Sequence, residues 1–367
     1  MRDDNHDNAP AESQSKLEAV VANWYPRFLA NGLDGLQVRD TLARIQRWDQ
    51  WAPEWVASAA AWKERGAAAL AAGHLVTAGE HLKRAALTLQ FAQFVLTEDV
   101  DQRTAIHRRQ IALYRQAAPL LRPPAEPVSM PFEDTTVPGY LRRPEGIARP
   151  RLVILIPGLE STKEQFSTFE PYFLARGVAT LSMEGPGQGE MWYERGFDDT
   201  DYQRAFRAVL DFARSLSDLD HDRLALVGTS FGGYLCLKCA PLAGDRLAGV
   251  VEIAGPYDLS AFDDLQPVLQ DGFTHLVKAP DRATAKRRLA DVTLQGALDD
   301  LHAPVLVIHG GRDGVIPPAE ADRIAAALGD RAEVWFEPEG NHACNNMFSV
   351  VRPTVADWVA DRLGAEG

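Results

Sequence analysis

One short segment constrains the fold of this chain more than any other. The sequence G-T-S-F-G-G at residues 228–233 directly follows the apolar run 224–227, and a helix-forming stretch follows at 234–240. A serine in this setting occupies a sharp, strained turn, where bulkier neighbours would clash with the strand and helix packed around it. The segment therefore predicts a nucleophilic serine, Ser230, exposed at the end of a buried strand.

From residue 126 onward, short apolar runs alternate with helical patterns. Alternating β and α elements predict an α/β fold with a mainly parallel sheet and helices on both faces. Residues 127–141 predict strands joined by a turn at Pro138-Gly139, and residues 256–300 predict a small, largely helical cap above the sheet. The strand-like runs lie at residues 152–156, 178–183, 224–227, 248–253, 305–308 and 333–336.

The first third of the chain has a different period. Apolar residues recur there at three- and four-residue spacing, and Gly73 separates two helical runs as a C-cap would. We predict a disordered leader at residues 1–15, an all-helical N-terminal domain at 16–124 and the α/β domain at 125–367. Tryptophans at roughly helical spacing form either a core stripe or an aromatic wall over the active site: Trp48, Trp51, Trp55 and Trp62.

Composition narrows the possible partners and compartment. A formal net charge of −13 does not favour nucleic acid or anionic membranes, which bind basic patches. No segment approaches the roughly 20 apolar residues that span a bilayer, and residues 1–15 lack the apolar core of a secretory signal. Three cysteines, a low and odd number, suggest a reducing compartment. We therefore expect a cytoplasmic protein without membrane or nucleic-acid partners.

Two further segments supply partners for the serine. A serine hydroxyl needs a histidine base, and the histidine needs a carboxylate that fixes its tautomer. The segment H-G-G-R-D-G at 309–314 follows one strand-like run, and E-P-E-G-N-H at 337–342 follows the next. Asp313 could instead cap a loop and His342 could be a solvated surface residue. The order serine, acid, histidine, each after a strand, favours a catalytic triad of Ser230, Asp313 and His342.

The same reasoning places an oxyanion hole. One backbone N–H should come from Phe231, the residue after the nucleophile. The other should come from the loop after residues 152–156, at Leu159 or Glu160. Such a site requires no metal and no organic cofactor.

Three motifs and the helical N-terminal region together carry a family resemblance. The motifs are P-G-L-E-S-T-K-E at 157–164, E-G-P-G-Q-G-E at 184–190 and G-T-S-F-G-G at 228–233. With them, the chain resembles the α/β-hydrolase subgroup that contains 2,6-dihydroxypseudooxynicotine hydrolase and fungal polyketide-shortening hydrolases. The resemblance covers nearly the whole chain.

The resemblance implies more than the residues do. It implies cleavage of a carbon–carbon bond between an acyl carbon and a dihydroxypyridine ring, with 2,6-dihydroxypyridine and 4-methylaminobutyrate as products, in nicotine degradation. It also implies a homodimer in which the N-terminal helical domain is a lid. Glu160 matches an acidic position beside the oxyanion loop, where it either orients the substrate or tunes the serine, or only bonds nearby amides.

The chemistry leaves alternatives open. Attack of Ser230 on an aromatic ketone and collapse of the alkoxide would expel a ring carbanion, which is tolerable only if the ring first tautomerises to a keto form. A carboxylesterase or a polyketide-shortening hydrolase would use the same triad, because the acylation machinery is shared. A non-catalytic receptor with a hydrolase fold would carry a broken triad, and these three residues are all present.

Overall fold

The computed structural model describes residues 9–365, with side chains from residue 16 onward. The chain divides into two compact units, and the boundary lies between Arg122 and Pro123. Residues 1–8 of the predicted leader lie outside the described residues. Residues 9–15, which we expected to be disordered, instead form the first turns of a helix. The physical reason is the local sequence, in which Pro10 suits a first helical turn and Ala11 and Glu12 are good helix formers.

The first unit is helical. A tight turn at Gly73, whose φ of 77° suits a residue without a side chain, joins its third and fourth helices into the predicted hairpin. The helices are α1 (Ala9–Ala30), α2 (Gly35–Arg44), α3 (Trp51–Ala71), α4 (Leu75–Gln93) and α5 (Val100–Ala117).

An aromatic cluster forms the core of this unit. The side chains of Trp51 and Trp55 on α3 are fully buried. The Trp55 ring packs on Phe28 at 5.2 Å between centroids, and Phe28 packs edge-on against Phe91 at 4.7 Å. The indole N–H of Trp51 donates to the carbonyl of Phe91 at 2.9 Å. These contacts favour the core-stripe interpretation of the two tryptophans over an aromatic wall.

Through residue 365, where the described part of the chain ends, the second unit contains one eight-stranded sheet. Its order is β1-β2-β4-β3-β5-β6-β7-β8, and only the β1–β2 and β2–β4 pairs are antiparallel. The mainly parallel sheet predicted from the sequence is therefore confirmed. The strands are β1 (Ala125–Phe132), β2 (Thr135–Arg142), β3 (Arg151–Ile156), β4 (Val178–Met183), β5 (Asp220–Thr229), β6 (Leu247–Ile253), β7 (Val305–Gly310) and β8 (Ala332–Glu337).

Helices cover both faces of the sheet. The helices of this unit are α6 (Glu170–Leu174), α7 (Met191–Glu194), α8 (Asp199–Ser215), α9 (Phe231–Cys239), α10 (Pro267–Leu276), α11 (Arg282–Arg288), α12 (Ala319–Leu328) and α13 (Phe348–Leu363). Helices α6 and α13 share a buried apolar cluster with the inner strands. On β6, Gly249 faces Trp358 of α13, whereas Glu252, three residues along, faces Gly233 of α9, so α9 and α13 lie on opposite faces of the sheet. Helices α10 and α11 form the predicted insertion between β6 and β7.

The predicted turn at Pro138-Gly139 is wrong, because both residues lie inside β2. The β1–β2 hairpin turns instead at Glu133 and Asp134, where Glu133 has a positive φ of 51°. Gly139 serves close packing within the sheet. A Cβ there would approach the carbonyl oxygen of Ser182 on β4 to 2.8 Å.

The cysteines of this unit are all buried. Cys236, Cys239 and Cys344 are buried free thiols, and burial raises the pKa of each. This environment is typical of core residues rather than of reactive thiols.

Among residues 9–365, no helix is both long and apolar enough to cross a bilayer.

A buried carboxyl lies within the sheet. Glu252, near the end of β6, is fully buried, and its Oε1 accepts a hydrogen bond from the backbone N–H of Gly255. Burial raises the pKa of Glu252 to about 8, and the nearby carboxylate of Asp313 adds to the rise against the Gly255 bond. Glu252 is therefore protonated at neutral pH.

This protonation predicts a pH-dependent stability. Between about pH 5 and pH 8 the folded chain keeps a proton on Glu252 that the unfolded chain releases, so the free energy of unfolding falls as pH rises. We expect Glu252→Gln to remove a slope of up to about 1.4 kcal/mol per pH unit. Urea unfolding at pH 5 to 9 measures it, with the surface variant Glu145→Gln as the control for net charge. Parallel profiles for wild type and Glu252→Gln would contradict a protonated Glu252.

Candidate active site

The serine lies on the strained turn that the sequence predicts. Ser230 joins β5 to α9 with φ 56° and ψ −132°, in a region that residues with side chains rarely adopt. Its backbone N–H donates to the carbonyl of Ile253 at 2.7 Å. A Cβ at Gly228 would clash with the carbonyl of Gly232, and a Cβ at Gly232 would clash with the carbonyl of Ile156. Glycine at both positions lets the strand, the turn and the helix meet.

The three predicted triad residues come together. The Ser230 hydroxyl lies 2.9 Å from Nε2 of His342, and Nδ1 of His342 lies 2.8 Å from Oδ2 of Asp313. Asp313 and His342 are both buried. This continuous hydrogen-bonded chain can move a proton from the serine to the imidazole while the carboxylate fixes the ring orientation.

Backbone amides hold the acid in its ionised form. Oδ1 of Asp313 accepts hydrogen bonds from the N–H groups of Val315 at 2.8 Å and Ile316 at 2.9 Å. Burial alone would raise the pKa of Asp313, but His342 and these two amides outweigh it, so the pKa lies below its ordinary value. Asp313 is therefore a carboxylate throughout the neutral pH range.

Glycines bring the two loops that carry the acid and the base into contact. Gly310 ends β7 before Asp313, and Gly340 precedes His342. A Cβ on Gly310 would clash with the carbonyl of Gly340, and the N–H of Arg312 donates to that same carbonyl at 2.8 Å. The glycines in H-G-G-R-D-G and E-G-N-H thus have a packing role that the sequence motifs did not reveal.

His309 supports the acid loop and takes no part in the proton relay. Its buried ring lies with Nε2 3.1 Å from the carbonyl of Ile316 and 3.4 Å from Oδ2 of Asp313. Burial lowers the pKa of His309, so the ring is neutral. A neutral imidazole with its hydrogen on Nε2 can donate to both neighbouring acceptors, the carbonyl of Ile316 and Oδ2 of Asp313.

The predicted oxyanion loop runs beside the nucleophile. A Cβ at Gly158 would lie 3.1 Å from Cβ of Ser230 and 3.6 Å from its Oγ. This loop follows β3, and Phe231 begins α9 directly after the serine. The amide of Phe231, together with that of Leu159 or Glu160, stays our predicted set of oxyanion donors, and the positive end of the α9 dipole adds to the Phe231 donor.

The cap helix α10 packs on both sides of this predicted oxyanion hole. A Cβ at Gly272 would lie 3.1 Å from Cδ2 of Leu159 and 3.6 Å from Oε1 of Glu160. The next residue, Phe273, packs edge-on against Phe231 at 5.2 Å between ring centroids. The sequence predicted a cap, but nothing in it indicated that Gly272 lets the helix approach the loop so closely. Glu160 is half-buried at this contact.

A family model matches most of the catalytic unit. Residues 164–365 match Peptidase_S9, the prolyl oligopeptidase family, and this range contains all three members of the hydrogen-bonded chain.

A whole-chain relative is a bacterial enzyme. The 2,6-dihydropseudooxynicotine hydrolase of Paenarthrobacter nicotinovorans is 33% identical over 358 residues, which cover 96% of this chain and 95% of that enzyme. A shorter match, 33% identical over 178 residues, is the alpha/beta hydrolase ucsC of an Acremonium species; it covers 42% of this chain and 35% of that protein. The family resemblance read from the motifs is confirmed.

Solved structures agree with these matches. The crystal structure of 2,6-dihydroxy-pseudo-oxynicotine hydrolase superposes with a TM-score of 0.85 at 30% identity, covering 94% of this chain and 97% of that one. Wild-type AbyA5, at 24% identity, shares the fold with a TM-score of 0.75 over 96% of this chain and 95% of that one. The chain is a hydrolase with the α/β-hydrolase fold, and it belongs to the prolyl oligopeptidase family.

Proposed function

We propose that this enzyme hydrolyses the carbon–carbon bond between an acyl carbon and a dihydroxypyridine ring. The proposed substrate is 2,6-dihydroxypseudooxynicotine, and the products are 2,6-dihydroxypyridine and 4-methylaminobutyrate. The observation that carries the proposal is the unbroken chain Ser230–His342–Asp313, at 2.9 Å and 2.8 Å, in a protein aligned almost end to end with a hydrolase named for that substrate.

Acylation follows from the hydrogen-bonded chain. His342 Nε2 takes the proton from Ser230 as Oγ attacks the ketone carbon, and Asp313 stabilises the imidazolium that forms. The former ketone oxygen becomes an alkoxide beside the amide of Phe231 and that of Leu159 or Glu160. Stabilising that charge is usually the largest single contribution of such a site.

Cleavage depends on the ring. Collapse of the alkoxide breaks the bond between the acyl carbon and the ring carbon, and the ring carries away the electron pair. A ring already in its keto form receives this pair as an enolate rather than as a localised carbanion. His342 gives the proton it took from Ser230 to this enolate, which leaves as 2,6-dihydroxypyridine, and the 4-methylaminobutyryl group remains esterified to Ser230.

Deacylation reverses the proton path. His342, neutral again, takes a proton from a water that attacks the ester carbon, and then returns a proton to Oγ of Ser230. Water is thus the only co-reactant. The residues of this unit supply every proton transfer, so the proposal includes no metal and no organic cofactor.

Glu160 is the acidic residue best placed to bind the cationic methylamino tail. Glu160 lies in the loop after β3 and is half-buried against α10 at Gly272. A carboxylate there would attract an ammonium group on the acyl side of the scissile bond.

Three wider features belong to the same proposal. We infer that the helical unit ending at Arg122 acts as a lid that selects the substrate, that the enzyme is a homodimer and that it works in the cytoplasm. The whole-chain match to the bacterial hydrolase supports these three inferences. The net charge of −13 separately disfavours nucleic-acid partners. A native mass of twice one chain would support the homodimer.

The alternative is a carboxylesterase, and one comparison of substrates decides between the two. We expect the purified enzyme to release 2,6-dihydroxypyridine from 2,6-dihydroxypseudooxynicotine, measured by its ultraviolet absorbance, with Ser230→Ala reduced to residual turnover. The specificity constant for a nitrophenyl ester should be lower. Rapid ester hydrolysis with an intact pyridyl ketone would establish the esterase instead.

Replacement of Glu160 tests whether this carboxylate binds the methylamino tail of the substrate. Glu160→Gln should raise KM for the cationic ketone about tenfold, because a charge-assisted bond is lost. KM for an uncharged nitrophenyl ester should stay within about twofold, which makes the ester the internal control. Equal losses on both substrates would assign Glu160 to the loop rather than to the substrate.

Removal of the helical unit tests whether this unit acts as a lid that selects the substrate. We expect a chain beginning at Pro123 to keep ester hydrolysis, because every triad residue lies in the second unit, and to lose preference for the pyridyl ketone. The ratio of the two specificity constants measures this. A folded truncated chain, shown by circular dichroism, with an unchanged ratio would exclude the lid.

A further inference from the structure

Two of the three sequence motifs bind one another. Lys163, in the motif that begins at the oxyanion loop, is buried with only 2% of its side chain exposed. Its Nζ lies 3.0 Å from Glu184 and 2.8 Å from Glu190, the first and last residues of the second motif, and 2.8 Å from Glu164. The backbone N–H of Lys163 also donates to Oε1 of Glu184 at 3.0 Å.

The same contact is reinforced from the second motif. The other carboxylate oxygen of Glu184 accepts a hydrogen bond from the backbone N–H of Glu190 at 2.9 Å. Gly189 has a positive φ of 41°, and a Cβ there would overlap the carboxyl group of Glu184. Burial alone would lower the pKa of Lys163, but the surrounding carboxylates raise it well above its ordinary value. The ammonium therefore stays charged, and the two loops stay joined.

Gln188 makes a second link, closer to the serine. Its Nε2 donates to the carbonyl of Pro157 at 2.6 Å. Its Oε1 accepts from the N–H of Gly185 at 3.1 Å and from the hydroxyl of Tyr202 at 2.9 Å. Gln188 is 1% exposed, so each bond is shielded from water.

The carbonyl that Gln188 holds lies in the oxyanion loop. It belongs to the peptide unit between Pro157 and Gly158, and Gly158 is the residue whose backbone lies against Ser230. The next two amides along the chain are those of Leu159 and Glu160, the two candidates for the oxyanion donor from this loop. Fixing the orientation of one peptide unit restricts the next, and oxyanion donors act only at the correct position.

We propose that Gln188, with the Lys163–Glu184 pair behind it, is a positioning residue that holds the oxyanion loop against Ser230. Gln188 does not touch the reacting atoms and acts through the Pro157 peptide. The inference rests on the serine mechanism of the proposed function. It applies equally to ketone and ester substrates, because both form an alkoxide at the same place.

The test measures alkoxide stabilisation directly on an ester. In Gln188→Met, a side chain of similar size that cannot donate, we expect kcat for a nitrophenyl ester to fall about 10- to 100-fold, below the full loss of an oxyanion donor. KM should change less than twofold. The Ki of a trifluoromethyl ketone, which forms a tetrahedral alkoxide on Ser230, should rise by the same factor as kcat falls.

A matched pair of tyrosines provides the gentler variant and its control. Tyr202 and Tyr234 are both fully buried, and each donates its hydroxyl at 2.9 Å, Tyr202 to Gln188 and Tyr234 to Asp199. Tyr202→Phe should lower kcat and trifluoromethyl ketone affinity about two- to tenfold. Tyr234→Phe should lower Tm by about as much as Tyr202→Phe does. It should leave kcat and the affinity for the trifluoromethyl ketone unchanged. If Gln188→Met does not fold, this pair decides.

The two proposals fail in different ways. Unchanged kcat and Ki in Gln188→Met, or equal effects of Tyr202→Phe and Tyr234→Phe, would overturn the positioning role. A rise in KM without a change in Ki would overturn it as well, because substrate binding would then be what Gln188 controls. A wild-type enzyme that hydrolyses the ester but leaves the pyridyl ketone intact contradicts only the proposed function.

Discussion

The close approach of backbone segments around Ser230 is the constraint on which the rest of the site depends. Gly232 lies against the carbonyl at the end of β3, and the Ser230 N–H is bonded to the carbonyl at the end of β6. The strained turn is thus held from both neighbouring strands. Strain of this kind persists only where the surrounding structure enforces it, and here it fixes the hydroxyl within 2.9 Å of His342.

The charge of the buried acid Asp313 is the second requirement of the site. Ser230 alone is a weak nucleophile, and its activation needs a carboxylate that stays ionised although it is buried. Asp313 meets this need because two backbone amides and His342 stabilise its charge against desolvation. Glu252, also buried and without such a set of donors, holds its proton instead. Two carboxyl groups of one unit therefore differ in charge because of their hydrogen bonds.

Much of the fold could be predicted because the parallel strands are buried on both faces. Such strands read as continuous apolar runs, and β4 matches the predicted residues 178–183 at both ends. The hairpin of β1 and β2 was harder, because Pro138-Gly139 is typical of a turn. Only the neighbouring strand β4 shows that Gly139 is needed for close packing in the sheet.

The sequence by itself determined which serine, acid and histidine form the hydrogen-bonded chain, since each follows a strand with its own local motif. Tertiary structure alone decided which residues support them. Gln188 reaches Pro157 and Glu184 reaches Lys163 from a segment distant in the chain, and Gly272 brings α10 to Leu159. Local patterns encode strand ends and turns, whereas contacts between distant segments depend on the packing of the whole unit, which no local pattern records.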